Sequence, residues 1–295
     1  MRLVQLKLLA LVPVLGLSAL LVLSGCKDKT PTNTGPGPTQ VGAGKPKDLE
    51  LAGYAKVLRG RVTYNGSGNP DELIQQMKVT KDHEVCGATV PGPGWYVKDS
   101  KDRKGIRYVV VTIRPPAGYR MPEAHKEMKD LPRDNKGQPV AFQTIHQPKC
   151  QFEPRVIVLH PAQKIQVVND DAAGKVVHDT NISHSRYTLS NPAMKPGTVK
   201  EPQDIPGDDR EPGRVSCQQH TNMMSAYLWK FTHPYATVTD SEGNFELKYV
   251  PVPKEGKMVL VVWHEMLETP DKFKVVGPIE IAVDGEATMN IELPK

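Results

Sequence analysis

Cys217, His220 and Met223 stand at three-residue intervals in Cys217-Gln-Gln-His-Thr-Asn-Met223. One short loop therefore offers a thiolate, an imidazole and a thioether. That mixture suits copper, and a second imidazole from another segment would complete a trigonal site of two His and one Cys with a weak axial Met. His178, in Lys175-Val-Val-His-Asp-Thr-Asn-Ile182, is the expected donor, with His184 in Ser183-His-Ser185 as the alternative. Met224 competes with Met223 for the axial place. Zinc also accepts Cys and His, yet it gains little from a thioether and usually takes further Cys or His at short spacing. A nucleophilic Cys/His pair is the other chemistry these residues allow, but the short spacing on one loop and the lack of an orienting carboxylate in the sequence weaken it. The plain alternative is a buried thiol with unrelated neighbours.

The remaining cysteines narrow the setting. The chain opens MRLVQLKLLALVPVLGLSALLVLSGC, with Arg2 and Lys7 ahead of an apolar run that ends on small residues, the pattern of a secretory leader over residues 1–25. Leu23-Ser-Gly-Cys26 resembles the lipobox of bacterial lipoproteins, which implies that Cys26 carries lipid. Residues 26–50 are rich in Pro, Gly and Thr and read as a flexible tether. With Cys26 assigned to lipid, three cysteines remain, and an oxidising compartment favours one disulfide plus one thiol with a role. If Cys217 is that thiol, elimination leaves Cys86 and Cys150 as the disulfide, or else as two buried thiols.

The elements that must position these residues read as strands. Val57–Tyr64, Arg107–Ile113, Arg155–Leu159, Lys164–Val168, Tyr235–Thr239, Asn244–Lys248 and Met258–Trp263 are short apolar or alternating runs punctuated by turns. His160-Pro-Ala-Gln163 is expected to join two neighbouring strands. Residues 191–214 hold so much Pro, Gly and Asp that a long irregular loop is expected there. At least seven punctuated strands imply an all-β sandwich.

Taken together, Cys-x2-His-x2-Met, the segment Ser225-Ala-Tyr-Leu-Trp229 behind it, and an upstream His after Val-Asn-Asp170 resemble the ligand loops of the cupredoxins, the small blue copper proteins, in the short amicyanin-like form. Lys149–Val156, Gln166–Asp170, His233–Asp240 and Val262–Glu265 resemble secreted methylamine-utilisation-like or planctomycete-type proteins, in which a cupredoxin is fused to a carboxypeptidase-regulatory-like, transthyretin-like sandwich. The resemblance spans about residues 55 to 295. It implies a Greek-key copper domain over 141–234, and a regulatory-like sandwich built from 51–140 and completed by the strands of 235–295. Two positions depart from the family pattern. Asp179 follows His178 where Asn is usual, at the place that knits the two ligand loops together, and Thr221 follows His220 where Pro is common.

The expected function follows. One type 1 copper held by His178, Cys217, His220 and Met223 would carry single electrons between redox proteins of the bacterial cell envelope, on the periplasmic side, with no enzymatic step. The competing expectation is a non-redox module that binds carbohydrate or protein, with the copper loop degraded or used for storage; Trp95 and Tyr96 would be its sugar surface, although such a pair more often packs locally over a turn. Removing Arg2 and Lys7 with the leader lowers the formal charge from +5 to about +3, too diffuse for nucleic acid. His233 and His264 are expected to be structural.

Overall fold

The computed structural model of the chain describes residues 45–67, 69–100, 103–171 and 175–293. The expected leader, Cys26 and most of the expected tether lie outside the described residues. The end of that tether is docked: Lys47 N–H donates to Gly118 O at 2.9 Å, Asp48 pairs with Arg120 at 2.9 Å, and Leu49 packs into a core. The tether expectation is corrected to end before Lys47, because Leu49 has apolar surface to bury.

Strands hold 45% of the described residues and helices 6%, so the protein is all-β, with β-sandwich character. Its sheets stack in four main layers. The outermost joins Asn244–Lys248, Val57–Tyr64, Arg103–Ile106 and Val97–Ser100, with Glu286–Thr288 and Ile291–Leu293 also paired to Val57–Tyr64. Beneath it lies an antiparallel sheet of Ala236–Val238, Val110–Arg114, Val259–Trp263 and Phe273–Pro278. Next comes the sheet Tyr187–Met194, His178–His184, Gly213–Ser216, Ser225–Lys230 and Val156–Leu159. The last layer holds Thr198–Val199, Lys164–Asn169 and Phe142–His146.

Burial along each strand reports its layer. Asn244–Lys248 alternates buried and exposed residues, as an outer sheet with one wet face must, whereas Val110–Arg114 and Val259–Trp263 are buried almost throughout. Val111, Ile113, Leu260 and Val262 face Leu58, Val62 and Phe245 in one core; Val110, Val261 and Trp263 face Val156 and Trp229 in a second. Ile157, Leu159, Ala226 and Leu228 then turn to Ile145, Ile165 and Val167 in a third. Two sandwiches thus sit back to back, with an aromatic layer between them in which the Trp229 and Trp263 rings meet edge to face at 5.9 Å.

The chain's early and late strands share a sheet, since Val57–Tyr64 pairs antiparallel with Asn244–Lys248. Residues 51–140 do not all serve that first sandwich. The excursion through Ile74–Lys78, the short helix His83–Cys86 and Thr89–Gly94 sends Val79, Cys86 and Val90 into the third core, where Cys86 is disulfide-bonded to Cys150.

Two strand expectations need correction. Val156–Leu159 and Lys164–Asn169 are not hairpin partners: the first pairs with Ser225–Lys230 and the second with Phe142–His146, so the 160–163 turn crosses from one layer to the next. Leu159 and Ile165 then face each other across the third core, which a hairpin within one sheet would forbid. Residues 191–214 are not wholly irregular either. Tyr187–Met194 runs into them as an edge strand, where Pro192 is tolerated, and Thr198–Val199 and Gly213–Ser216 add two short strands.

Candidate metal centre

The site forms where the His178–His184 strand begins and the Gly213–Ser216 strand ends. These neighbours run antiparallel, with Asn181 opposite Ser216, so His178 and Cys217 meet at one end of the pair. After Cys217 the chain turns tightly, and the N–H groups of Met223 and Met224 donate to His220 O at 3.2 and 3.3 Å. That turn folds His220 back over Cys217 before Ser225–Lys230 leaves antiparallel to Gly213–Ser216.

The donor atoms converge. Cys217 Sγ lies 3.9 Å from His178 Nδ1 and 3.8 Å from His220 Nδ1, and the two Nδ1 atoms are 3.1 Å apart. Metal–sulfur and metal–imidazole bonds of about 2.3 and about 2.0 Å sum to more than these S···N separations, so one ion can reach all three atoms. All three residues are buried, as are Met223 and Met224. The Thr80 hydroxyl donates to Met223 Sδ at 3.8 Å.

Electrostatics fit a cation. Burial holds the His220 ring below the usual imidazole value, and burial together with the charge of His220 does the same to His178, so both present neutral nitrogens. Burial pushes the Cys217 thiol up, against the pull of the backbone amides of Asp179, His220 and Gln219. A thiolate there needs a positive partner.

Neighbouring groups fix the orientation of the donors. His220 Nε2 is 3.0 Å from Asp82 Oδ2, which places the proton on Nε2 and leaves the Nδ1 lone pair for the site. His178 Nε2 lies 3.6 Å from Asp171 Oδ2. Asp179 Oδ1 accepts from Gln218 N–H at 2.8 Å and from Asn181 Nδ2 at 2.7 Å, tying the His178 strand to the Cys217 loop. The carboxylate thus supplies a link between the loops from the position where the family pattern has Asn. The Cys86–Cys150 disulfide closes the far side: Cys86 Sγ is 3.9 Å from His220 Nε2, and Cys150 shares a cluster with Asp171 and His178.

His184 lies at the opposite end of its strand, stacked on Tyr187 with Nε2 near Glu211 O at 3.2 Å, and takes no part in the cluster. His233 packs between Phe231 and Tyr235, and His264 stacks on Trp95 at 4.4 Å. Trp95 is buried and the Tyr96 hydroxyl donates to Gly92 O at 2.8 Å, so the pair packs locally over its turn. Sequence reasoning missed Asp82 and Asp171. Asp82 lies 138 positions from His220, and an exposed acid in a Lys-Asp-His stretch gives no signal of its own. Comparisons with family models, curated proteins and solved structures found no match to this chain.

Proposed function

We propose that the protein is a cell-envelope blue copper protein that carries single electrons. His178, Cys217 and His220 are the equatorial ligands of one type 1 copper and Met223 is the long axial one. In this reading, a Greek-key cupredoxin sandwich is joined to a carboxypeptidase-regulatory-like sandwich. The observation that carries it is the convergence of a buried thiol and two neutral imidazole nitrogens within 4.8 Å of one another. Copper held there supplies a one-electron couple between Cu(II) and Cu(I).

The chain's own part is to keep the donors still. Asp179 ties the two ligand segments and Asp82 orients His220. The disulfide braces the side away from Cys217. Electrons enter and leave by the His220 edge, because its partner Asp82 is 41% exposed whereas Asp171, beside His178, is 1% exposed. No bond-making step is asked of any residue, so the protein is a carrier and not an enzyme. Lipid on Cys26 holds it at the periplasmic face, and the segment after Cys26 gives it reach toward redox proteins of the envelope.

The test is reconstitution with Cu(II). An intense absorption near roughly 600 nm, bleached by ascorbate and absent from Cys217→Ser, is expected of a copper–thiolate site. A colourless protein, or colour that survives Cys217→Ser, overturns the reading in favour of a non-redox binding module.

A further inference from the structure

His220 presents Nδ1 to Cys217 and Nε2 to the disulfide, while His178 presents Nδ1 to Cys217 and Nε2 to Asp171. On the far side, the donor atoms of Cys86, Cys150 and His220 lie within 4.8 Å of one another, as do those of Cys150, Asp171 and His178, and all five residues are buried. Cys86 Sγ is 3.9 Å and Asp82 Oδ2 3.0 Å from His220 Nε2. His178 Nε2 is fully buried on this side and, among the described residues, has no hydrogen-bond partner.

We infer that the Cys86–Cys150 disulfide masks a second metal site, opened by reduction, in which the two thiolates and the outer nitrogen of His220 hold a thiophilic d10 cation. A dithiol reductant opens it by exchange: two electrons and two protons pass to Cys86 and Cys150, their S–S bond breaks, and the reductant leaves as its own disulfide. The cation then displaces both thiol protons and the His220 Nε2 proton to solvent, so the ring binds as an imidazolate when its Nδ1 is also ligated. Two thiolates with imidazole nitrogen are the donor set that zinc and monovalent copper prefer. Asp82 stands beside that nitrogen as an oxygen donor. The site shares the His220 ring with the electron-carrier site but takes its sulfur from Cys86 and Cys150 and not from Cys217, so it goes beyond that reading.

The experiment uses the full chain and Cd(II). One sample keeps its disulfide. The other is reduced with a phosphine in denaturant and refolded without oxygen in the presence of Cd(II). Bound cadmium, thiolate-to-cadmium absorption, thiol count and circular dichroism are read on both. The reduced chain is expected to bind about one more ion than the oxidised chain, with stronger charge-transfer absorption. Reduced Cys150→Ser is expected to lose that increment. A reduced chain that refolds with its thiols free and takes up no additional cadmium overturns the inference, as does one that fails to refold with cadmium present. Failure of the Cys217 site is separately visible as an oxidised chain that binds no ion.

Discussion

Asp179 Oδ1 accepts the Gln218 N–H at 2.8 Å, across the two segments that carry His178 and Cys217. The bond joins the residue after one imidazole donor to the residue after the thiol, so it sets the distance between them. Asp179→Asn keeps an acceptor there and is expected to leave stability and metal release nearly unchanged. Asp179→Ala strands a partly buried amide and is expected to cost about 1–3 kcal/mol. Denaturant titration and the rate of copper loss to a chelator check both variants; equal effects from Asn and Ala would show that the bond does not set the site.

Arg155 and Glu265 join the two sandwiches through a bidentate pair at 2.6 and 2.8 Å, with side-chain exposures of 7% and 3%. Arg155 also donates to Ser225 O at 3.1 Å. Breaking one side of a buried pair leaves an uncompensated charge. Glu265→Gln is therefore expected to destabilise by about 3–5 kcal/mol, and the double variant Arg155→Met/Glu265→Leu by much less. Thermal melts of the two variants, side by side, decide it.

The sequence made the strand content and the donor set readable because both are local. Runs such as Val259–Trp263 announce a strand buried on both faces, and Cys217, His220 and Met223 share one turn. The layer to which a strand belongs is not local. The 160–163 turn has the composition of a hairpin but crosses a core, and its outcome depends on which distant strand each arm pairs with. Asp82 was illegible for the same reason: its role exists only because the 74–94 excursion leaves the first sandwich and is held by Cys150 beside His220.

Stability is expected to fall as pH drops below 6.5. Burial lowers His233 and His264, the latter to about 3, while both rings titrate near 6.5 once exposed. Between those values the unfolded chain binds more protons than the native one, so the stabilising term is full above 6.5 and is lost as pH falls through the window toward the folded values. His264 alone accounts for about 2 kcal/mol between neutrality and about pH 5. Urea midpoints at the two pH values measure it, and His264→Gln, if it folds, is expected to flatten the dependence.

Met223 and Met224 are both buried beside the cluster, and the Thr80 hydroxyl approaches Met223 Sδ. If Met223 is the axial donor, Met223→Leu keeps copper and colour, because the equatorial set is untouched, and raises the reduction potential by removing a ligand that favours Cu(II). Met224→Leu is expected to leave the potential where it was. Voltammetry of the two variants separates them, and the reverse result would move the axial assignment to Met224.

Asp82 both touches a proposed ligand and reaches solvent, lying 3.0 Å from His220 Nε2 at 41% exposure. Its negative charge favours the more positive metal state, and its acceptor oxygen fixes which imidazole nitrogen faces the site. Asp82→Asn removes the charge while retaining an acceptor, so its expected effect is a raised potential with little loss of affinity. Asp82→Ala removes both and is expected to weaken copper binding by about 10–100-fold as well. Glu84→Ala, an exposed acid on the same short helix, serves as the control for a general loss of surface charge. Competition with a copper chelator and voltammetry on the three variants distinguish orientation from charge, and a Glu84→Ala shift as large as that of Asp82→Asn would remove Asp82 from the site.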